Sequence, residues 1–347
     1  ATALFICITL WLMLVFGSQD ILVERQNPDF LQFVKQTELE NLPVKDQIVR
    51  YLTEKAFVPH LGDVAQTLFF VMCSLLIVNI VDKHGGFMAI SRSLRTENKR
   101  KLLWMVGLSS FFFSALLDNL AAAIVLIAIL RKLVPDHTDR MKYASIIILA
   151  ANAGGSWSPI GDVTTLLLWT GGNITAWHQI SHLFLPALAN LLVPLIIADF
   201  WLFKKGTKLR QSSNLTADDI YVERIRNRSR IIIFWIGISS LAFVPIFQTI
   251  THLPAFMCVL MGLVFLWIYT DLMYGQINDI RESDKLRIPT LSRSVDLPTI
   301  FFFFGILMSV AALNVRGQLS LFADVLSSNI KEPYTISIIS GAISSVV

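Results

Sequence analysis

An all-α polytopic membrane fold follows from three features of the sequence. Of its 347 residues, 54% are hydrophobic and only 16% charged, with a mean hydropathy of +0.62; soluble domains carry about 25% charged residues. Several apolar runs approach the roughly 20 residues that cross a bilayer as a helix. Lys and Arg sit in the loops beside those runs and the net charge is a modest +4, which is a membrane pattern and not a nucleic-acid footprint. Cys7, Cys73 and Cys258 lie inside apolar runs without metal-ligand spacing and read as small core residues.

Taken in order, residues 1–16 form an apolar run, readable as the trailing part of a longer helix. It resembles a signal-peptide core but has no charged leading region or small-residue cleavage site. With the polar stretch 17–63, which holds eight acids and five Lys/Arg, it makes an N-terminal region 1–63, expected to be a soluble loop with some helix after the first run. A first repeat, 64–203, opens on the span 64–81. An amphipathic stretch from Gly86 to Leu94 then leads into the basic cluster Arg92, Arg95, Lys99, Arg100 and Lys101.

From Leu102 to Val134 the chain is apolar except at Asp118-Asn119, and a second basic flank follows at Arg131, Lys132, Arg140 and Lys142. Basic flanks mark cytoplasmic loops, so this segment leaves one side and returns to it. Each arm has only about 15 residues, short for a crossing at 1.5 Å per residue. The expected form is a re-entrant hairpin over 102–134 with Asp118-Asn119 at its tip. A broken helix over 143–170 crosses outward to a loop, GGNITAWHQISH, without Lys or Arg, and 183–203 return. The region 204–297 supplies cytoplasmic loops at 204–230, with eight Lys/Arg, and 275–297, with Arg281, Lys285, Arg287 and Arg293, around connecting spans 231–250 and 255–273.

An internal repeat completes the plan. TLFFVMCSLLIVNIVDKHGGF (67–87) aligns without gaps on TIFFFFGILMSVAALNVRGQL (299–319), pairing Gly85 with Gly317, and the run before Asp118 corresponds to the run that ends at Val347. An odd number of reversals separates the two copies, so the second, 298–347, is inverted. Its linker carries only Arg316 and Lys331 where the first has five basic residues. Inverted repeats with discontinuous helices are the architecture of secondary transporters. The last run stops one residue before the counterpart of Asp118, so the chain reads as a fragment with its C-terminal part missing, expected not to transport alone.

The stretch AANAGGSWSPIGDVTTLLLW (150–169) interrupts an apolar run with small and polar residues. Gly154, Gly155 and Pro159, with Ser156 and Gly161 beside them, are expected to break helical bonding there. Unwound backbone in hydrocarbon survives only where it is buried in protein or lines a wet cavity. An acid at that depth costs about 2.5–3.5 kcal/mol on insertion scales and marks function. Asp118, Asn119, Asn152, Asp162, Thr164 and Thr165 together offer carboxylate, amide and hydroxyl oxygens, suited to Na⁺ or Li⁺ and not to soft metals. Two carboxylates in one low-dielectric pocket disfavour simultaneous ionisation. Such a pair holds a proton or a metal ion but not easily both, and that competition is what an antiporter needs. The expected Na⁺ ligands are Asp118, Asn119, Asn152 and Asp162; Na⁺ or Li⁺ and H⁺ are cargo, and no cofactor is called for.

Simpler roles compete. Asp118-Asn119 can cap a helix turn, and Asp162 can cap the helix starting at Val163 with Thr164 and Thr165 bonding back. Asn152 can bridge two helices, and Trp157 can pack on the break instead of gating. His84, His137, His178, His182 and His252 lie near span ends, where amphipathic side chains are normal.

At SALLDNLAAAIVL (114–126) and NAGGSWSPIGDVTTLLLW (152–169) the sequence resembles the NhaD-type sodium/proton antiporters of the ion transporter superfamily. The likeness extends through HLGDVAQTLFF (60–70), HGGF (84–87) and NKRKLLW (98–104) to about Leu195. It implies Na⁺(Li⁺)/H⁺ exchange, inverted repeats with two hairpins, and a functional role for the six polar residues above. In that family the second hairpin continues as an Asp-Asn pair, which here would begin after Val347. An anion carrier of the same superfamily, for arsenite or dicarboxylate, ranks below, because a carboxylate beside a dianion is electrostatically poor. An intramembrane aspartyl protease ranks lower still: Asp118 follows leucine, and Pro159 precedes Ile160-Gly161, unlike the Tyr-Asp and Gly-x-Gly-Asp of those enzymes. The expected setting is a bacterial inner membrane, although plastid envelopes hold similar proteins; a homodimer is an open option.

Overall fold

The computed structural model describes residues 1–17, 28–202, 226–275, 297–330 and 332–346, with the single positions 286 and 291. Every regular element among them is helical, as hydrocarbon requires of segments that must satisfy their own backbone bonds. In chain order they are α1 (Thr2–Gly17), α2 (Pro28–Gln36), α3 (Val44–Tyr51), α4 (Val58–Lys83), α5 (Met88–Ser93), α6 (Lys99–Leu117), α7 (Asn119–Leu133) and α8 (His137–Ser156). There follow α9 (Val163–Thr170), α10 (Ala176–Trp201), α11 (Asn227–Ala242), α12 (Val244–Thr251), α13 (Ala255–Gly275), α14 (Leu297–Val315), α15 (Gln318–Asn329) and α16 (Pro333–Val346). Among the described residues, five helical stretches are long and apolar enough to cross a membrane, or six if a bent pair counts as one span. The chain divides into two compact units, residues 1–68 with 296–347, and residues 69–295.

In the first unit α1 packs on α14. Trp11 Nε1 donates to the Met308 carbonyl at 3.0 Å, and Gly305 admits the backbone of Ala3, which a Cβ there would meet at 2.7 Å. From residue 28 to residue 63 the chain is mostly helical. Val44–Lys83 is one helical stretch of 40 residues, passing through a π-helical turn at Leu52–Phe57, so the helix that carries the first span begins well before residue 64. The reason is an apolar stripe among the charges: Ile48, Leu52 and Ala56, four residues apart, are all buried.

The second unit holds both interruptions. At one end Lys99 pairs with Asp139, whose carboxylate also lies 3.6 Å from Lys142. At the other end Ser114 Oγ donates to the Ala151 carbonyl at 2.5 Å. Helices α6 and α8 therefore run parallel, side by side. Between them α7 runs back, since Arg140 near the start of α8 donates to the carbonyl of Val134 at 3.5 Å. Helix α10 is antiparallel to α6: Arg100 meets Asp199 at 3.4 Å, and Gly107 lies against Leu195. The two basic flanks thus meet at one end of the unit. The arms of the hairpin are unequal, because α6 starts at Lys99 and has 19 residues while α7 has 15; α6 alone is long and apolar enough to cross.

Other elements depart from expectation. The span expected at 231–250 is two helices, α11 and α12, bent by 45° beside Phe243, where Pro245 lacks the amide needed to continue the ladder. His84 does not snorkel at an interface: it is fully buried, with Nδ1 donating to the Ile80 carbonyl at 2.7 Å and the Tyr274 hydroxyl 2.9 Å from Nε2. The three cysteines are free and buried, as core residues should be. Gly85 and Gly317, aligned with each other in the sequence comparison above, both stand two residues beyond a helix end in the left-handed region, at φ 74° and 76°. Most of the expected loops 204–230 and 275–297, including Arg281, Lys285, Arg287 and Arg293, lie outside the described residues.

The backbone does not break at Gly154-Gly155. Helix α8 continues to Ser156, and these glycines instead let backbones touch: a Cβ on Gly154 would lie 2.1 Å from the Phe111 carbonyl oxygen, and one on Gly155 2.5 Å from that of Gly161. Gly154→Ala should therefore force α6 and α8 apart and lower the thermal unfolding midpoint sharply. Gly62→Ala, in open space on α4, should leave it unchanged or raise stability by about 0.4–1 kcal/mol. Scanning fluorimetry of the two purified variants checks the contrast.

Candidate functional site

The tip between α6 and α7 is the single residue Asp118. Its backbone sits at φ 69° and ψ 159°, a region almost reserved for glycine and costing a side-chain-bearing residue about 1–3 kcal/mol. What holds it there is visible. The carboxylate caps α7, with Oδ1 accepting from the amide of Ala121 at 2.9 Å. Cap and strain share one residue, so the tip is fixed in place.

The second interruption runs from Trp157 to Asp162, between α8 and α9. Ser158-Pro159-Ile160-Gly161 is a turn closed by the Gly161 amide on the Ser158 carbonyl at 3.3 Å, with Pro at the position where its fixed φ suits a turn. Asp162 then caps α9 through its Oδ1 and the Val163 amide, 2.8 Å. Thr164 donates to Asp162 Oδ2 at 2.7 Å, and the buried Thr165 donates to the Asp162 carbonyl at 2.8 Å. Ser156 donates back to the Ala153 carbonyl at 2.8 Å, inside the last turn of α8.

The two interruptions meet through Asn119. Its amide lies 3.1 Å from Asn152 Oδ1 on α8 and 3.4 Å from Asp162 Oδ1. Asn119, Asn152, Asp162 and Thr164 thus form one hydrogen-bonded chain, and Asp118 directly precedes Asn119 at its end. Thr165 faces its own helix start and joins only through the backbone of Asp162. Capping and bridging, the simpler roles weighed above, are both present, and they leave lone pairs free. A carboxylate oxygen has two, and Asn119, donating through its amide, keeps its carbonyl oxygen. The group is rich in hard oxygen donors, and among the described residues no three His, Cys, Asp or Glu side chains are grouped so as to hold a metal ion.

Two residues that hold the site together have weak sequence signals. Ser114, fully buried, ties the end of α6 to α8; only its place four residues before Asp118 could have suggested it. Gln179, on the first turns of α10, donates to the carbonyls of Ser156 at 3.2 Å and Ser158 at 3.0 Å. It stood in what the sequence presented as an outer loop. Trp157 packs, as expected, on the aromatic side chains of Phe111 (6.0 Å, stacked) and Phe184 (5.2 Å, edge-on).

Comparison with known proteins adds to this geometry. The sequence profile of the citrate transporter family matches residues 43–347. "Sodium/proton antiporter 1" of Arabidopsis thaliana is 37% identical over 287 residues, covering 82% of this chain and 48% of the relative. "Sodium/proton antiporter 2" of the same plant is 35% identical over 288 residues, covering 82% and 66%. The "Na(+)/H(+) antiporter NhaD" of Alkalimonas amylolytica is 27% identical, covering 99% of this chain and 74% of the relative. The chain thus spans about half the length of the first of these relatives and about two thirds of the second.

The tip geometry orders three substitutions. Asp118→Ala keeps the backbone strain and loses the cap, whereas Asp118→Gly loses the cap but relieves the strain. Asp118→Gly should therefore be more stable than Asp118→Ala by about 1–3 kcal/mol, with Asp118→Asn, an alternative cap, above Asp118→Ala. Thermal unfolding midpoints of the three variants read the order directly.

Proposed function

This chain belongs to the citrate transporter family, and within it we propose that it forms the cation-binding part of an antiporter exchanging Na⁺, or Li⁺, for protons. One observation carries the reading: two helix interruptions, from separate stretches of the chain, bring Asn119, Asn152 and Asp162 into one oxygen-rich group, with Asp118 directly beside Asn119 in the chain. The names of the three relatives point the same way, and all are names of transporters rather than enzymes.

In this mechanism Na⁺ takes oxygens from both carboxylates, the Asn119 and Asn152 side chains and the Thr164 hydroxyl. With the cation bound, its charge keeps both acids ionised. Once it leaves, two like charges in a low-dielectric pocket cost energy that a proton removes. Each ion therefore expels the other. The capped starts of α7 and α9 add the positive ends of two helix dipoles, which hold the carboxylates in place in either state. The family is named for citrate, and a citrate carrier is the rival reading; two aspartates at the break would repel a polyanion.

In the full chain, Asp118→Asn and Asp162→Asn should each reduce Na⁺-driven proton flux in proteoliposomes to background while leaving the protein monodisperse. Unchanged flux in either variant, or citrate uptake by the wild type, would sink the reading. Competition also sets a pH sign. As pH falls and protons occupy the carboxylates, the apparent KM for Na⁺ should rise, by up to about tenfold per pH unit for one competing proton. Na⁺ titrations of flux between pH 6 and pH 9 measure the slope.

A further inference from the structure

We propose that Gln179 is a positioning residue for this exchange, setting where Asp162 stands without touching the cation; the inference rests on the antiport reading. Gln179 lies in the second turn of α10, whose start is capped by Thr175, and it is 1% exposed. Its amide nitrogen makes two donations, to the carbonyls of Ser156 and Ser158. Its Oε1 is buried and has no partner among the described residues. A buried acceptor left unpaired is unfavourable, and a leucine of similar size would avoid it. The residue's contribution must therefore come from the donor side.

Those two carbonyls are significant. Ser156 ends α8, where the last carbonyls have no helical partner. The Ser158 carbonyl closes the turn to Gly161, so Gln179 and Gly161 share one acceptor. Asp162 follows directly, and its carboxylate is held toward Asn119 across 3.4 Å, a long contact that a small shift would break. From Trp157 to Asp162 the segment's other anchor is packing: Trp157 on Phe111 and Phe184, and Gly161 on Gly155 and Ser114. Gln179 is the polar clamp that joins the segment to a third helix. The titratable groups nearest along the chain are the exposed and mutually stacked His178 and His182, with Asp162 at the end of the clamped turn.

The test uses the full chain in proteoliposomes, with Na⁺ as the ion. Gln179→Leu should raise the KM for Na⁺ about tenfold or more, because displaced ligands lose coordination geometry, while kcat changes far less. It should also speed hydrogen exchange at the amides of Ile160, Gly161 and Asp162. Gln179→Glu discriminates a clamp from a filler: only its protonated carboxyl can donate, so its Na⁺ affinity relative to wild type should recover as pH falls and worsen as pH rises. A side chain that merely fills space would show no such pH dependence. Wild-type KM and exchange in Gln179→Leu, or a flat pH ratio in Gln179→Glu, would overturn the proposal. Were the wild type to show no Na⁺-driven flux, the antiport reading would fall instead, and the exchange rates alone would then show whether Gln179 holds the break.

Discussion

Helix ends placed among apolar residues must find partners for groups that water would otherwise satisfy, and this requirement shapes the centre of the second unit. Helices α7 and α9 begin, and α6 and α8 end, part-way along apolar stretches of the second unit. Each start leaves amides without helical acceptors. Asp118 and Asp162 supply them. The acids proposed to bind the cargo are thus the same acids that make the interruptions tolerable, and removing either affects both roles. A helix start favours negative charge while low dielectric opposes it. A carboxylate under those opposed influences suits an exchange between proton and cation.

The close approach of α6, α8 and the intervening turn depends on missing side chains. Gly154, Gly155 and Gly161 bring three backbone segments into direct contact around Ser114. In hydrocarbon, where apolar side chains gain little by leaving lipid, contacts of this kind and interhelical hydrogen bonds supply much of the association energy. Glycines that look like helix breakers are, in this setting, packing surfaces. The ion pair of Lys99 with Asp139 and the contact of Arg100 with Asp199 fix the other end of the same helices. With both ends pinned, the parallel pair α6 and α8 gives Asn119, Asn152 and Asp162 a rigid frame.

Much of this could be read from the residues alone. Composition and run length predict a helical membrane protein, since no other regular structure satisfies a backbone across so many apolar positions. Asp118 and Asp162 identify themselves, because acids in such runs are too costly to be incidental. Pro159 and Gly161 mark a turn through their own backbone preferences. Gly85 and Gly317 carry the same local message at matching places, and each adopts the left-handed conformation that message implies. These are properties of a residue and its near neighbours, which is why the sequence carries them.

Distance in sequence hid the rest. Whether Gly154 breaks a helix or seats it against Phe111 depends on a helix forty residues away, and only the fold brings that carbonyl within reach. Asn119 looked like half of an Asp-Asn pair, yet its amide bridges two other elements. Gln179 is a lone amide at a helix start, with no periodicity or motif to single it out, and its partners lie more than twenty residues upstream. The sequence by itself determined that the chain crosses a membrane in helices and that two acids interrupt its apolar runs. The tertiary structure alone decided that Asn119, Asn152 and Asp162 come within hydrogen-bonding reach of one another, because such contacts depend on positions in space that spacing along the chain does not encode.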